Sequence, residues 1–256
     1  MTDELAAGDH LVGSDRVLAI LIELAQRPDG AGLEELGRAV ASPKSTVHRA
    51  LASLTRAGLA RKEGVGHYVL GDEFLRLAFA HHEARPEHVR VLPALRALAT
   101  RFGETAHYAV LDGAEVVYRA KVDPPTGAVR LTSTIGGRNP AYCTGVGKLL
   151  LSNVLPDDTA VRRWLDLHAL SPRTEHTITE PDAFVAELAR IRERGYAVDD
   201  QENEVGVNCV AVPAARGPGP YPAGAISVSA LAYRTPLADL LRDVRIVTGL
   251  VQGSTA

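Results

Sequence analysis

The chain has 256 residues and a formal net charge of −3 at pH 7, and hydrophobic residues make up 46% of it. Its mean hydropathy is −0.01 and no apolar run approaches the ~20 residues of a membrane span, which indicates a soluble globular protein with no membrane partner. The length allows two domains. The start, MTDELAAGDH, lacks the features of a signal peptide, and two cysteines are too few for a disulfide framework, so we expect a cytoplasmic protein.

The first 13 residues are polar and aperiodic, and we expect them to form a mobile tail. A helix should follow, capped by Ser14 or Asp15, with one apolar face that comprises Val17, Ile20, Leu21 and Leu24. The turn sequence Pro28-Asp29-Gly30 ends it. This helix is expected to pack across the next two.

Residues 33–70 predict a helix, a tight turn, a second helix and a two-stranded hairpin. The first helix should break at Ala41-Ser42, with Ser42 as the N-cap of the second and Pro43 at its first position. The buried stripe of that second helix comprises Val47, Ala50, Leu51 and Leu54. Two short strands then alternate around Gly64-Val65-Gly66, as a wing would. We therefore predict a winged helix-turn-helix over residues 14–71.

Charge favours DNA as the partner of this domain. Residues 38–62 hold six Lys and Arg and no Asp or Glu, within a chain that is acidic as a whole. The alternative is a solvated helical face. The candidate contacts to double-stranded operator DNA are Lys44, Ser45, Thr46, His48, Arg49, Arg56, Arg61 and Lys62. Ser45, Thr46 and Arg49 are placed for base edges, and Lys44, Arg56, Arg61 and Lys62 for phosphates.

Residues 72–85 predict a linker helix that is apolar around more than one side. Both apolar sides of such a helix must be buried, and a second subunit is the expected partner for one of them. Phe74, Leu77 and Phe79 are the candidate anchors of a homodimer, which could assemble further into a dimer of dimers.

Residues 86–256 predict an α+β domain, since helical and alternating patterns are intermixed along it. The first helix carries the stripe Leu92, Leu95, Leu98 and Phe102. The predicted strands are 105–111, 115–122, 129–135, 196–198, 207–212 and 225–231. The predicted helices are 145–154, 157–168, 181–194 and about 236–250.

Several motifs suggest chemistry and are better explained otherwise. Gly145-Val146-Gly147-Lys148 lacks the earlier Gly and the following Ser or Thr of a phosphate loop. Cys209 lies in an apolar strand, where a cysteine is more often a small buried hydrophobe than a nucleophile. His81, His82 and His88 complete no metal-ligand pattern, and the polar run 199–202 fits a loop beside a pocket. We therefore expect no catalytic residue, metal or cofactor, and no enzyme.

The chain resembles the IclR-type transcriptional regulators over nearly its full length. The matching segments are RVLAILIELA, LEELGRAVASPKSTVHRALASLTRAGLARKE, GRNPAYCTGVGKLLLS, IRERGYAVDDQENEVGVNCVAVP and AGAISVSA. The last three are the more specific, because winged helices occur in many families. The resemblance implies an N-terminal DNA-binding domain, a linker helix used in dimerisation and a C-terminal GAF-like effector-binding domain.

The resemblance also implies an effector site that comprises Gly145, Val146, Asp199, Cys209, Ser227 and Ser229. The two serines share one face of a strand, and the amides of residues 145–147 are expected to meet a carboxylate. Ala141-Tyr142-Cys143 departs from the usual Leu-His-Ala-like run, and Tyr142 is expected to close one end of the pocket.

The expected function is a ligand-responsive regulator, a repressor rather than an activator, of a metabolic operon, which senses a small organic or aromatic acid. Two alternatives stay open. The first is a GAF-like binding protein or enzyme that uses its winged helix for protein interaction. The second is a purely architectural DNA-binding protein.

Overall fold

The computed structural model describes residues 13–83, 86–124, 131–214 and 224–253, so the tail expected over residues 1–13 lies almost wholly outside it. The side chains of 81–83 and 86–88 are also outside the description, and with them the three histidines considered above. The chain divides into two compact units, Met1–Arg85 and Pro86–Ala256. None of the described helices is both long and apolar enough to cross a bilayer.

The first unit is a winged helix-turn-helix followed by a further helix. Its elements are α1 (Gly13–Ala25), β1 (Ala31–Gly32), α2 (Leu33–Ala39), α3 (Lys44–Arg56), β2 (Ala60–Glu63), β3 (His67–Leu70) and α4 (Asp72–Glu83). The stripes of α1 and α3 meet in a core that contains Ile20, Leu24, Val47 and Leu51, all fully buried. This confirms the predicted arrangement of three helices and a hairpin.

Three details of this unit differ from the sequence prediction. Helix α1 begins at Gly13, ahead of either predicted cap. Helix α3 begins at Lys44 with Pro43 as its N-cap, because the Ser42 hydroxyl donates to the Val40 carbonyl at 3.1 Å instead of capping the helix. The strand β1 was missed; it is only two residues long and pairs with β3 in the order β1–β3–β2.

The second unit is built on a six-stranded antiparallel sheet. Its elements are α5 (Pro86–Phe102), β4 (Thr105–Asp112), β5 (Glu115–Val122), β6 (Arg138–Pro140), a 3-10 turn (Ala141–Cys143), α6 (Gly145–Val154), α7 (Asp158–Leu165), α8 (Pro181–Arg194), β7 (Ala197–Asp200), β8 (Val207–Pro213), β9 (Ala225–Leu231), α9 (Leu237–Arg242) and α10 (Val244–Gly253). The strand order is β6–β5–β4–β9–β8–β7.

The two faces of this sheet carry different cores, because successive residues of a strand point to opposite faces. Tyr108 and Val210 pack with α5 and α10 on one face. Their neighbours Ala109 and Ala211 pack with α6 and α8 on the other. Small residues on that second face let α6 approach the sheet closely, and the candidate site forms there.

Two predicted elements of the second unit are wrong. Residues 131–135 form no strand, and the earlier part of the predicted strand 129–135 lies outside the described residues; the edge strand is β6, which pairs with β5 through Val116 and Asn139. The single C-terminal helix is two helices, since α9 ends at its C-cap Asp243 and α10 begins with Val244.

Candidate functional site

The outward face of α3 presents polar and cationic side chains over a closed apolar core. Val47, Ala50, Leu51 and Leu54 are buried, as the helical period predicts. Lys44, Ser45, His48, Arg49 and Arg56 are exposed and Thr46 is half-buried. The helix therefore offers its candidate contacts on a surface that a groove could receive.

The hairpin of β2 and β3 supplies the remaining candidate contacts. Arg61 and Lys62 lie on β2 and are exposed, and Val65 at the tip of the turn is fully exposed. Their register partners on β3 are Val69 and Tyr68.

Two of these cations form ion pairs with acidic residues that lie just outside residues 38–62, the range that contains no Asp or Glu. Lys44 forms an ion pair with Glu34, and Arg61 forms one with Glu63 at 2.7 Å. The hydrogen bond from Lys44 lowers the pKa of Glu34. Exposed pairs of this kind contribute ~1 kcal/mol or less, so a phosphate can displace the acid. Within the described residues, Arg49 and Lys62 have no such partner.

In the second unit, a cavity of about 250 Å³ lies between the first turn of α6 and the sheet. Six residues that the resemblance implied line it: Gly145, Val146, Asp199, Cys209, Ser227 and Ser229. Strand register explains the grouping on the sheet side, because Asp199 pairs with Cys209 and Cys209 pairs with Ser229. A row of side chains thus crosses β7, β8 and β9 on one face.

Glycines let α6 come close to this row. A Cβ at Gly145 would lie 2.6 Å from the Cys209 sulfur, and one at Gly147 would lie 2.2 Å from the Ala141 carbonyl oxygen. The amides of this turn are partly used. The Thr144 hydroxyl accepts from the Gly147 N–H at 3.1 Å. The expectation that all three amides are open to a carboxylate is therefore wrong.

A polar chain that the sequence did not reveal runs through the cavity wall. The Ser229 hydroxyl lies 3.3 Å from His107 Nδ1, and His107 Nε2 lies 2.8 Å from the Ser133 hydroxyl. Burial, reinforced by Lys121, lowers the pKa of His107 to about 3, so the ring is neutral and contributes no charge. Lys121 Nζ donates to the Leu131 and Ser133 carbonyls, both at 2.8 Å, and so fixes the loop.

Asp199 is 6% exposed, and its Oδ1 accepts the amides of Glu202 and Asn203 at 2.7 and 3.4 Å. Burial raises the pKa of Asp199 to about 7, and the nearby Glu202 carboxyl adds to the shift. Glu202 itself forms a buried ion pair with Lys148 of α6. Its second oxygen, Oε2, has no hydrogen-bond partner among the described residues. Three buried titratable groups, Asp199, Glu202 and Lys148, therefore lie together beside the cavity.

The predicted role of Tyr142 is wrong. It does not line the cavity, because the 3-10 turn places its ring in the α6-side core and its hydroxyl donates to the Ser171 carbonyl at 2.7 Å. Tyr118 supplies the aromatic wall instead, with its ring centroid 5.0 Å from that of His107. Burial raises the pKa of Tyr118 to about 12, so its hydroxyl stays protonated. A tyrosine in the alternating pattern of β5 carried no signal for this role.

The rim of the cavity includes two arginines, Arg138 and Arg173. The candidate residues inferred from the sequence included neither, since both lie in or beside loops without periodicity. Burial raises the pKa of the Cys209 thiol and raises that of Cys143 to about 12, which disfavours a nucleophilic thiolate at either. In the described ranges, no cluster of three or more His, Cys, Asp and Glu could hold a metal ion.

Comparisons with known proteins agree over both units. A family model described as the IclR helix-turn-helix domain matches residues 14–64, and one described as the bacterial transcriptional regulator IclR C-terminal domain matches residues 88–246. The chain is 34% identical over 218 residues to the DNA-binding transcriptional repressor YiaJ of Escherichia coli K12, an alignment that covers 84% of this chain and 76% of that protein.

Two solved structures extend the comparison. A transcriptional regulator from Rhodococcus sp. RHA1 matches with a TM-score of 0.80 at 30% identity, covering 94% of this chain and 96% of that one. A double mutant of the inducer-binding domain of PobR from Acinetobacter, in complex with 3-hydroxybenzoic acid, matches with a TM-score of 0.57 at 28% identity. That match covers 64% of this chain and 93% of the domain.

Proposed function

The chain belongs to the IclR family of bacterial transcriptional regulators, and from this premise we propose that it represses a metabolic operon in response to a small organic or aromatic acid bound in the cavity. The observation that carries the proposal is the convergence of Asp199, Cys209, Ser227 and Ser229 with the start of α6 on one cavity. The protein acts in the cytoplasm by binding and performs no catalysis.

The DNA-binding surface is the outward face of α3 with the wing. Ser45, Thr46 and Arg49 lie in the first half of α3, the part of a recognition helix that reaches base edges. Lys44, Arg56, Arg61 and Lys62 contact phosphates in this proposal, and His48 completes the exposed face. Phosphate contacts make duplex binding fall steeply with salt, which a protein-interaction module would not share.

The effector is a small acid because the cavity is small and its wall is rich in hydrogen-bonding groups. Its volume of about 250 Å³ lies just below the range of ordinary ligand pockets. The hydroxyls of Ser227 and Ser229, on the sheet side, form hydrogen bonds with the ligand, and Asp199 forms one with a ligand hydroxyl. The 3-hydroxybenzoic acid bound by the PobR domain supports this ligand class.

The proposed functional unit is a homodimer, because two copies related by a two-fold axis are the minimum needed to read a palindrome. Helix α4 leaves Leu75, Leu77 and Phe79 exposed by 48%, 49% and 61%. Covering them in a second copy removes apolar surface from water. Light scattering should give a dimer or dimer of dimers for the wild type and a smaller species for Phe79→Glu; a monomeric wild type would exclude this arrangement.

The central experiment compares operator binding with and without 3-hydroxybenzoate in the wild type and in the double variant Ser227→Ala, Ser229→Ala. The acid should change wild-type operator affinity by about 5- to 150-fold, the usual size of allosteric coupling. The double variant should bind the operator as the wild type does and lose the response. Ser171→Ala, an exposed serine of the same unit outside the cavity lining, is the matched control. An unchanged response in the double variant would place the effector elsewhere.

A further inference from the structure

Arg173 lies at the rim of the cavity, in the connection between α7 and α8. Its Nε donates to the Asn203 carbonyl at 3.3 Å, which draws the side chain toward the loop that follows β7, the strand of Asp199. Both of those residues line the same cavity. The guanidinium is therefore attached to the cavity wall by one of its nitrogens.

The backbone around Arg173 is fixed by two threonines. The amides of Arg173 and Thr174 donate to the Thr177 hydroxyl oxygen at 3.1 and 3.0 Å. The Thr174 hydroxyl donates to the Gln201 carbonyl at 2.7 Å, and the Thr177 hydroxyl donates to the Glu202 carbonyl at 2.6 Å. A cation held in place before binding loses little conformational freedom when a ligand arrives.

No carboxylate of the described residues neutralises the charge of Arg173. Within the described residues, no carboxylate oxygen lies within 4.0 Å of its guanidinium nitrogens. The other arginine of the lining, Arg138, forms ion pairs with Asp112 and with Glu115, the latter at 3.1 Å. The two terminal nitrogens of Arg173 make no hydrogen bond to a described residue. They form the planar fork that matches a carboxylate.

The other groups near the cavity that could attract a negative charge are engaged or neutral. The Gly147 amide is used by Thr144. His107 is neutral, and Lys148 is fully buried against Glu202. Recognition of a negative charge therefore needs a cation that these groups do not provide.

We propose that Arg173 binds the carboxylate of the effector and makes the cavity selective for an acid over the corresponding uncharged amide. This rests on the proposed function, since it assumes that the effector occupies this cavity. Two acidic side chains of the lining, Asp199 and Glu204, oppose an anion. Asp199 opposes it less than an ordinary aspartate does, because its pKa of about 7 leaves much of it protonated near neutral pH. Glu204 is exposed and screened by water.

The test is calorimetric titration of the full chain with 3-hydroxybenzoate and with 3-hydroxybenzamide, which differ in charge and hardly in shape. The wild type should prefer the acid. Arg173→Gln should weaken acid binding by about tenfold or more, as loss of a charge-assisted pair does, and leave amide binding within about twofold. Arg173→Lys should keep part of the preference. Arg163→Gln, an exposed arginine on α7 outside the cavity lining, is the matched control and should bind as the wild type.

The outcomes separate this inference from the proposed function. If Arg173→Gln binds the acid like the wild type, or loses acid and amide alike, Arg173 does not recognise the charge, although the cavity remains the effector site. If the wild type binds neither 3-hydroxybenzoate nor 3-hydroxybenzamide, the proposed ligand class fails and this inference fails with it. Thermal unfolding of both glutamine variants checks that the exposed substitutions leave the fold intact.

Discussion

One lysine–glutamate pair lies at the candidate DNA-binding surface and another lies beneath the cavity, and the two are in opposite environments. The side chains of Lys44, at the start of α3, and Glu34, on α2, are 67% and 66% exposed. Beneath the cavity, those of Lys148 and Glu202 are 1% and 6% exposed. Water screens the charges of the first pair. The charges of the second pair are removed from water, and each is compensated by the other.

This difference suits the two tasks. A surface that binds phosphates benefits from cations whose protein partners can be exchanged at little cost. A cavity that binds a small ligand needs walls that keep their positions, and the Lys148–Glu202 pair joins α6 to the loop between β7 and β8, which carries Asn203. The same residue types thus give an exchangeable contact in one unit and a fixed support in the other.

The largest effect is expected from breaking the buried pair. Lys148→Met should lower the free energy of unfolding of the second unit by ~3–5 kcal/mol, because Glu202 would stay buried without its partner. Urea unfolding followed by circular dichroism measures it. Lys44→Met is the matched control in the first unit and should change stability by ~1 kcal/mol or less. Similar losses in the two variants would contradict the comparison.

The next effect concerns Asp199 and pH. Because its folded pKa of about 7 is above the ordinary value of 3.8, the folded state holds a proton that the unfolded state releases first. The effect of Asp199 on the free energy of unfolding is therefore absent below pH 4. It lowers that free energy as the pH rises toward 7, and the loss remains above pH 7. At ~1.4 kcal/mol per pKa unit, the loss is at most about 4 kcal/mol.

Asp199→Asn should remove this penalty, since the amide oxygen can still accept the two backbone N–H groups. Relative to the wild type, the variant should be more stable at pH 8 and equal at pH 4, as judged by urea unfolding at both values. Asp200→Asn, which alters the adjacent exposed carboxyl, should show no such trend. A stability difference that does not vary with pH would show that Asp199 titrates normally.

Sequence patterns predicted the first unit better than the cavity, because the residues that define the first unit lie close together along the chain. The stripe of α3 and the turn at Gly64-Val65-Gly66 depend on residues a few positions apart, so periodicity and turn chemistry indicate them. The prediction of Ser42 as the N-cap was wrong because its hydroxyl makes one local hydrogen bond, to the Val40 carbonyl, in place of the capping one.

The cavity joins residues that no local pattern connects. Ser229 and His107 are 122 positions apart, and Lys148 and Glu202 are 54 apart. The shared face of Ser227 and Ser229 follows from strand period, and their membership of the cavity came from the resemblance. Arg173, which the sequence did not indicate, and Tyr142, whose predicted role was wrong, show the limit of sequence patterns. Loops and 3-10 turns impose no period from which a side-chain direction could be inferred.

A smaller effect, on the DNA side, tests base reading. Arg49 is exposed on α3 and has no acidic partner among the described residues, so its fork is open to a guanine edge. Arg49→Ala should cost ~1–3 kcal/mol on the operator and flatten the preference for it over a scrambled duplex. Lys62→Ala should weaken both duplexes alike. Fluorescence anisotropy on the two duplexes measures both variants, and an equal loss on both for Arg49→Ala would remove its base-reading role.

The smallest effect tests whether the exposed pairs are exchangeable. Glu34→Gln frees Lys44 for phosphate, so non-specific duplex affinity should rise about two- to threefold at low salt, which is ~0.5 kcal/mol. Stability should hardly change, in contrast to the loss expected beneath the cavity. Glu23→Gln makes the same change in net charge at the pair of Glu23, on α1, with Arg27, neither of which is a candidate DNA contact. Equal tightening in both variants would attribute the gain to net charge, and only a larger gain for Glu34→Gln would assign it to the released lysine.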